Sequence, residues 1–228
     1  MDITVTSSPP VRSLPLAHGW KLQVDQCTSR EAVREYIQPA VRAVPRTLSR
    51  HFRRCDISLV EKLDEENEVS SWTATEDTLS IAVAMPALDP HDAAIELLVC
   101  LGQALWEQLE PSERAEWLTL LNGEIQSGVT GEIDEDALLM KERLMLSSTT
   151  ARSRRRLQDY AQAAFAGTLA EYVHALWHNV TVRVGPSHLP ARWLRKRLDL
   201  MLRWFPPGHG QKLFAERPNG RQRRLRRT

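Results

Sequence analysis

The sequence predicts an α+β fold: an N-terminal helix, a small sheet of three to four strands, and a mainly helical C-terminal part. Three observations carry this expectation. Apolar residues recur at helical spacing over 32–44, alternating and β-branched segments cluster between Asp56 and Met85, and helical spacing dominates after Pro86. Strands in one run followed by helices in another mark α+β, whereas a doubly wound sheet alternates the two.

The chain of 228 residues, 42% of them hydrophobic, is long enough to bury a core without a disulfide or metal staple. Residues 1–15 hold three prolines and several Ser/Thr and read as a flexible arm. Residues 16–216 read as a single domain. Residues 217–228 carry six arginines and no acid, and read as a basic tail disordered on its own.

Thr28 or Ser29 is placed to cap the first helix, with Glu31 in its first turn. Val33, Tyr36, Ile37, Ala40, Val41 and Val44 form its apolar stripe, and Pro39 and Pro45 inside the pattern predict a kink or split. Three strand candidates follow: Asp56 to Leu63, Val69 to Thr75 around Trp72, and Leu79 to Met85, the last ended by Pro86. Asp89 then caps a helix that has Pro90 in its first position and runs to Leu109. Further helices are expected from Pro111, over Asp134 to Leu146, over Arg152 to Val180, and over Leu189 to Phe205, where Pro206-Pro207-Gly208 stops the last.

Several function classes are excluded or disfavoured. Cys27, Cys55 and Cys100 are too few and too scattered for a disulfide framework or a zinc ribbon. The first residues lack the apolar run of a signal peptide, and no segment has about 18 uninterrupted apolar residues, so no membrane partner and a cytoplasmic location are expected. Gly-rich phosphate loops and Gly-x-Ser-x-Gly elbows are missing. Charge is split along the chain: from Arg143 onward there are 18 Lys/Arg against 4 Asp/Glu, and residues 1–142 carry the opposite excess. Such blocks pair internally or serve partners of opposite charge.

The Asp89 helix contains Ile95-Glu-Leu-Leu-Val99-Cys100-Leu-Gly102-Gln103-Ala-Leu-Trp106-Glu-Gln-Leu109. This apolar helix, with Leu-Gly at its centre, resembles the active helix of the zincin metallopeptidases, of the glutamate type. There a His-Glu-x-x-His pattern supplies two zinc ligands and the carboxylate that activates water. The resemblance aligns that pattern with Val99, Cys100 and Gln103. It also aligns Glu171, in an Ala-Glu context on the later long helix, with the third ligand. Valine cannot ligate a metal, glutamine is a poor zinc ligand, and a cysteine cannot replace the general-base carboxylate. The resemblance thus implies a zincin-like fold, a relic cleft at Val99, Cys100, Gln103 and Glu171, and no peptidase chemistry. The expected role is a catalytically inactive module binding a protein or peptide, with no cofactor.

Two alternatives rest on other residues. Glu171, His174 and His178 share one helical face, a spacing used by metal sites, but the partner from a second helix cannot be identified from spacing. A metal-dependent enzyme, with zinc as the candidate ion, is one alternative. The other is a nucleic-acid-associated protein that binds phosphate or an acidic partner through Arg154, Arg155 and Arg156 and through Arg223 and Arg224 of the tail. The acidic run Glu132 to Asp136 is a candidate internal partner for the first of these clusters. Glu96, Cys100, Gln103 and Glu107 form a further polar stripe, expected to be solvated or hydrogen-bonded; negative neighbours would leave its cysteine unactivated.

Overall fold

The computed structural model describes residues 12–25, 28–63, 68–146, 150–178, 185–211 and 213. They form the expected α+β architecture, but the sheet has five strands: β1 (Arg12–Pro15), β2 (Lys21–Val24), β3 (Arg54–Val60), β4 (Ser70–Ala74) and β5 (Thr78–Ala84), in the order β1-β2-β3-β5-β4. The three central strands are parallel, and both edge strands run antiparallel to their neighbours.

β1 and β2 correct the sequence reading. Residues 12–15, expected to be part of an arm, pair with β2 from Arg12↔Val24 to Pro15↔Lys21. Residues 1–11 lie outside the described residues. Pro15 is tolerated because β1 is an edge strand. His18 and Gly19, at φ 62° and 76°, turn the chain between the two strands.

One face of the sheet carries the core. Leu22 pairs in register with Ile57 and Ile57 with Ile81, while Val24 pairs with Leu59 and Leu59 with Val83; all are buried. The intervening positions are polar or partly exposed, such as Asp56, Ser58 and Ser80. A one-sided sheet keeps period-2 alternation, which is why β3 and β5 were legible.

The first helix is split as its prolines require. Ser29 caps α1 (Arg30–Ala32) by accepting from Ala32 N at 3.0 Å. Pro39 has no N–H to offer, and the chain passes through a π turn, Val33–Ile37, in which Gln38 N donates to Val33 O, before α2 (Gln38–Ala43). Pro45 ends it, and a short α3 (Arg46–Ser49) precedes β3.

Five helices follow β5. The Asp89 side chain caps α4 (Pro90–Gln108) by accepting from His91 N and Asp92 N at 2.8 and 2.9 Å. A Glu110–Glu113 capping box opens α5 (Pro111–Gln126). Asp134 caps α6 (Glu135–Met145), and α7 (Thr150–Ala175) and α8 (Ala191–Trp204) complete the fold. α4 packs on β4 and β5, and α7 packs along α4 in the opposite direction: Gly102 meets Ala166, and His91 meets His174. Among the described residues no helix is long and apolar enough to cross a membrane.

Candidate functional site

The antiparallel α4–α7 pair forms one wall of a pocket of about 550 Å³, which the 132–135 and 188–194 segments close. Val99 and Glu171, aligned above as relic positions, both line it. Cys100 and Gln103 are turned instead toward the edge strand β4. Trp72 Nε1 donates to Gln103 Oε1 at 2.7 Å, Cys100 Sγ donates to Ser70 Oγ at 3.2 Å, and Ser70 Oγ donates to Glu96 Oε1 at 2.6 Å. The polar stripe of α4 is thus largely hydrogen-bonded to the sheet edge. Burial pushes the Cys100 thiol up to about 12, so it is no nucleophile at neutral pH.

Glu171, His174 and His178 line the pocket, and His91, in the first turn of α4, lies beside them. His91 Nε2 lies 3.1 Å from His174 Nε2. The His91 ring centre is 5.0 Å from that of His174 and 6.0 Å from that of His178, which stacks on His174 at 5.3 Å. Each of the two closest rings turns its other nitrogen toward a carboxylate: His91 Nδ1 to Asp92 at 3.6 Å and His174 Nδ1 to Glu171 at 3.9 Å. His174 Nδ1 is buried and makes no hydrogen bond. Burial, reinforced by His91 and His178, pushes the His174 imidazole down to about 4, so it is neutral at pH 7.

Behind the pocket lies a charge network that the sequence reading missed. Arg197 of α8 is fully buried. Its guanidinium donates to Glu124 through Nε at 2.9 Å and Nη2 at 2.5 Å, and to Glu132 through Nη1 at 2.8 Å and Nη2 at 2.9 Å. Lys141 Nζ adds a 2.9 Å bond to Glu132 Oε1, and Tyr160 donates to the same oxygen. Two carboxylates thus meet two cations with no water-exposed side chain among them. Burial would raise the Glu132 carboxyl, but Arg197 and Lys141 outweigh it and hold it down at about 2. A signal was present: Arg197, Glu124 and Lys141 each occupy a position on an apolar helical stripe, after Trp193, Leu121 and Ala137 respectively.

Asp134 shows the opposite behaviour. Its Oδ1 caps α6 at Ala137 N, 2.8 Å away, while Oδ2 is buried without a partner. Gly167 makes the room: a Cβ there would stand 1.7 Å from Oδ2. Burial raises the Asp134 carboxyl to about 6, and Glu132 and Asp136 add to the shift against the cap. A raised carboxylate pKa means that the folded state holds its proton more tightly, so stability falls as pH rises from about 4 to about 6. Asp134→Asn keeps the cap and is neutral throughout. It should gain about 1–3 kcal/mol at pH 8 and almost nothing at pH 4, read from urea midpoints at both pH values. Equal midpoints at pH 8 would show that Asp134 carries no such cost.

The basic cluster is partly seen. Arg154 and Arg155 are exposed on α7, and Arg156 donates to Arg143 O at 2.5 Å. Arg143, Arg155 and Arg156 line a second pocket of about 430 Å³ with Met140 and Asp159. Glu132 of the acidic run is bound by Arg197 and Lys141 rather than by this cluster. Arg223 and Arg224 lie outside the described residues.

Fold and site together define an α+β domain with a mixed five-stranded sheet and a histidine-lined pocket against two packed core helices. The chain matches no family model, no curated protein and no solved structure.

Proposed function

We propose that this chain is a zincin-like domain without peptidase chemistry, which binds a peptide or protein segment in the cleft that the α4–α7 pair forms with the 132–135 and 188–194 segments. One observation carries the reading. Val99 and Glu171, from the two packed helices, border one pocket, while Cys100 and Gln103 are committed to hydrogen bonds with Ser70 and Trp72 of β4. Residues that would cut a peptide are thus replaced by an apolar wall and by structural contacts, and the pocket persists beside them. A mixed sheet with an antiparallel edge strand, and a helix laid along that edge, support the same ancestry.

The test uses the intact protein with zinc added and a random peptide library. Peptides should bind and remain uncut. Val99→Trp, which fills the pocket, should weaken binding at least about tenfold, the loss of about 1.4 kcal/mol. Cleavage that disappears in Glu171→Ala would overturn the proposal, as would a library with no binding member.

A further inference from the structure

We infer that His91, His174 and His178 form a divalent transition-metal site, of the kind that takes zinc, at the end of the cleft. The site lies about two helical turns from the positions aligned with a peptidase centre: His91 precedes Val99 by eight residues, and His174 and His178 follow Glu171 by three and seven. It does not depend on the peptide-binding proposal.

Distance comes first. Two imidazole nitrogens on one tetrahedral zinc, each about 2.0–2.1 Å from the ion, stand roughly 3.3 Å apart, and their ring centres roughly 5 Å apart. His91 and His174 already meet at 3.1 Å between Nε2 atoms, as a hydrogen-bonded pair, and at 5.0 Å between ring centres, so an ion can enter by displacing the shared proton with little movement of either ring. His178 lies three residues past the end of α7, exposed, and stacked at 5.3 Å on His174. To join the other two it must leave this stacked position, which its exposure permits.

The far sides of the rings make the second argument. A zinc-bound imidazole usually gives its other N–H to a carboxylate, which fixes the ring and raises its basicity. Asp92 faces Nδ1 of His91 and Glu171 faces Nδ1 of His174, at 3.6 and 3.9 Å. His174 Nδ1 is buried without a hydrogen bond, and a small shift of Glu171 would supply the outer carboxylate that a zinc-bound ring takes.

Surroundings supply the third. Trp177 packs edge-on against His178 at 4.2 Å, and Tyr36 stands edge-on to His91 at 6.2 Å. An aromatic shell lowers the local dielectric and favours neutral ligands around a cation. An all-imidazole set suits zinc, copper, nickel or iron rather than magnesium or calcium. Three protein ligands leave a fourth position open toward the pocket, where water or a donor atom of the cleft's occupant binds.

His91 also belongs to a second set, with Asp89 and Asp92, whose ligand atoms lie within 4.8 Å of one another. The experiment separates the two. Protein prepared without a histidine tag is stripped with chelator and titrated with Zn²⁺ against a chromophoric competitor, with circular dichroism to verify folding of each variant. One zinc per chain is expected. His91→Ala and His174→Ala should each weaken binding more than about 100-fold, beyond what losing an outer carboxylate costs, and Glu171→Gln should weaken it about tenfold. His188→Ala, which alters the same pocket outside the trio, should bind zinc as the parent does. No stoichiometric zinc, or zinc retained in a folded His174→Ala, would overturn the site; the second result would move the ion to Asp89, His91 and Asp92.

Discussion

Arg197→Ala should cost about 3–5 kcal/mol of stability, read as a shift of the urea midpoint at pH 7. The magnitude follows from what is left behind rather than from the bonds lost. Arg197 is the shared partner of Glu124 and Glu132, and all three side chains are 0% exposed. Glu132 would keep Lys141 and Tyr160, but Glu124 would lose the guanidinium that holds both of its oxygens. A carboxylate left buried without its cation favours its neutral form, so the cost is present above the ordinary carboxylate range and absent well below it. The deficit should therefore shrink as pH falls through the ordinary carboxylate range. A double variant with Glu124→Gln added, which leaves Glu132 paired with Lys141, should recover part of the loss at pH 7. Should Arg197→Ala unfold at the parent's midpoint, the network would be ornamental and water would have to reach Glu124.

That network also ties the site to the fold. Glu132 belongs to the segment that closes the pocket, pairing with the 187–189 loop through Glu132 N to Ser187 O and Leu189 N to Glu132 O, both 3.0 Å. Arg197 and Lys141 fix that carboxylate from α8 and α6. The far wall of the cleft is thereby anchored from two helices that do not themselves carry the histidines.

What was legible in the sequence depended on how many residues each signal spans. Long helices with caps, such as α4 behind Asp89, repeat their pattern over many turns and were placed closely. β3 and β5 were legible because the sheet buries one face only. β2 is four residues long, and its alternation of Leu22 and Val24 gains weight only when Trp20 is counted with it. β1 has no buried residue to announce it. The site was half legible for a related reason. Glu171 and His174 share α7, and His178 N continues its last turn by bonding His174 O although the helix, expected to reach Val180, ends at Ala175, so spacing alone aligns them. His91 lies 83 residues earlier, and only the antiparallel packing of α4 on α7 brings it to His174. Spacing likewise could not tell that Cys100 and Gln103 turn toward β4 while Val99 turns toward the pocket.

Gly102→Ala should lower stability by about 2 kcal/mol, and Gly102→Val by more. Helix propensity predicts the reverse, since alanine is favoured over glycine by about 1 kcal/mol inside a helix. Packing decides the sign. A Cβ on Gly102 would stand 2.7 Å from Ala166 Cα and 3.1 Å from Ala166 O, and both are backbone atoms that cannot swing aside. Leu98, Leu101, Leu105, Phe165 and Leu169 are all fully buried around this crossing, so parting the helices would open the core along its length. The same displacement would separate His91 from His174 at the other end of the pair, so Gly102→Ala should also weaken zinc binding while leaving every proposed ligand in place. Adding Ala166→Gly removes only the 3.2 Å Cβ contact and should restore a fraction of the stability. This outcome would give the Leu101-Gly102 step a mechanical meaning: it permits the close helix approach on which both the cleft and its histidines depend. A more stable Gly102→Ala would instead show that the two helices yield freely, and the histidine geometry would lose its rigid support.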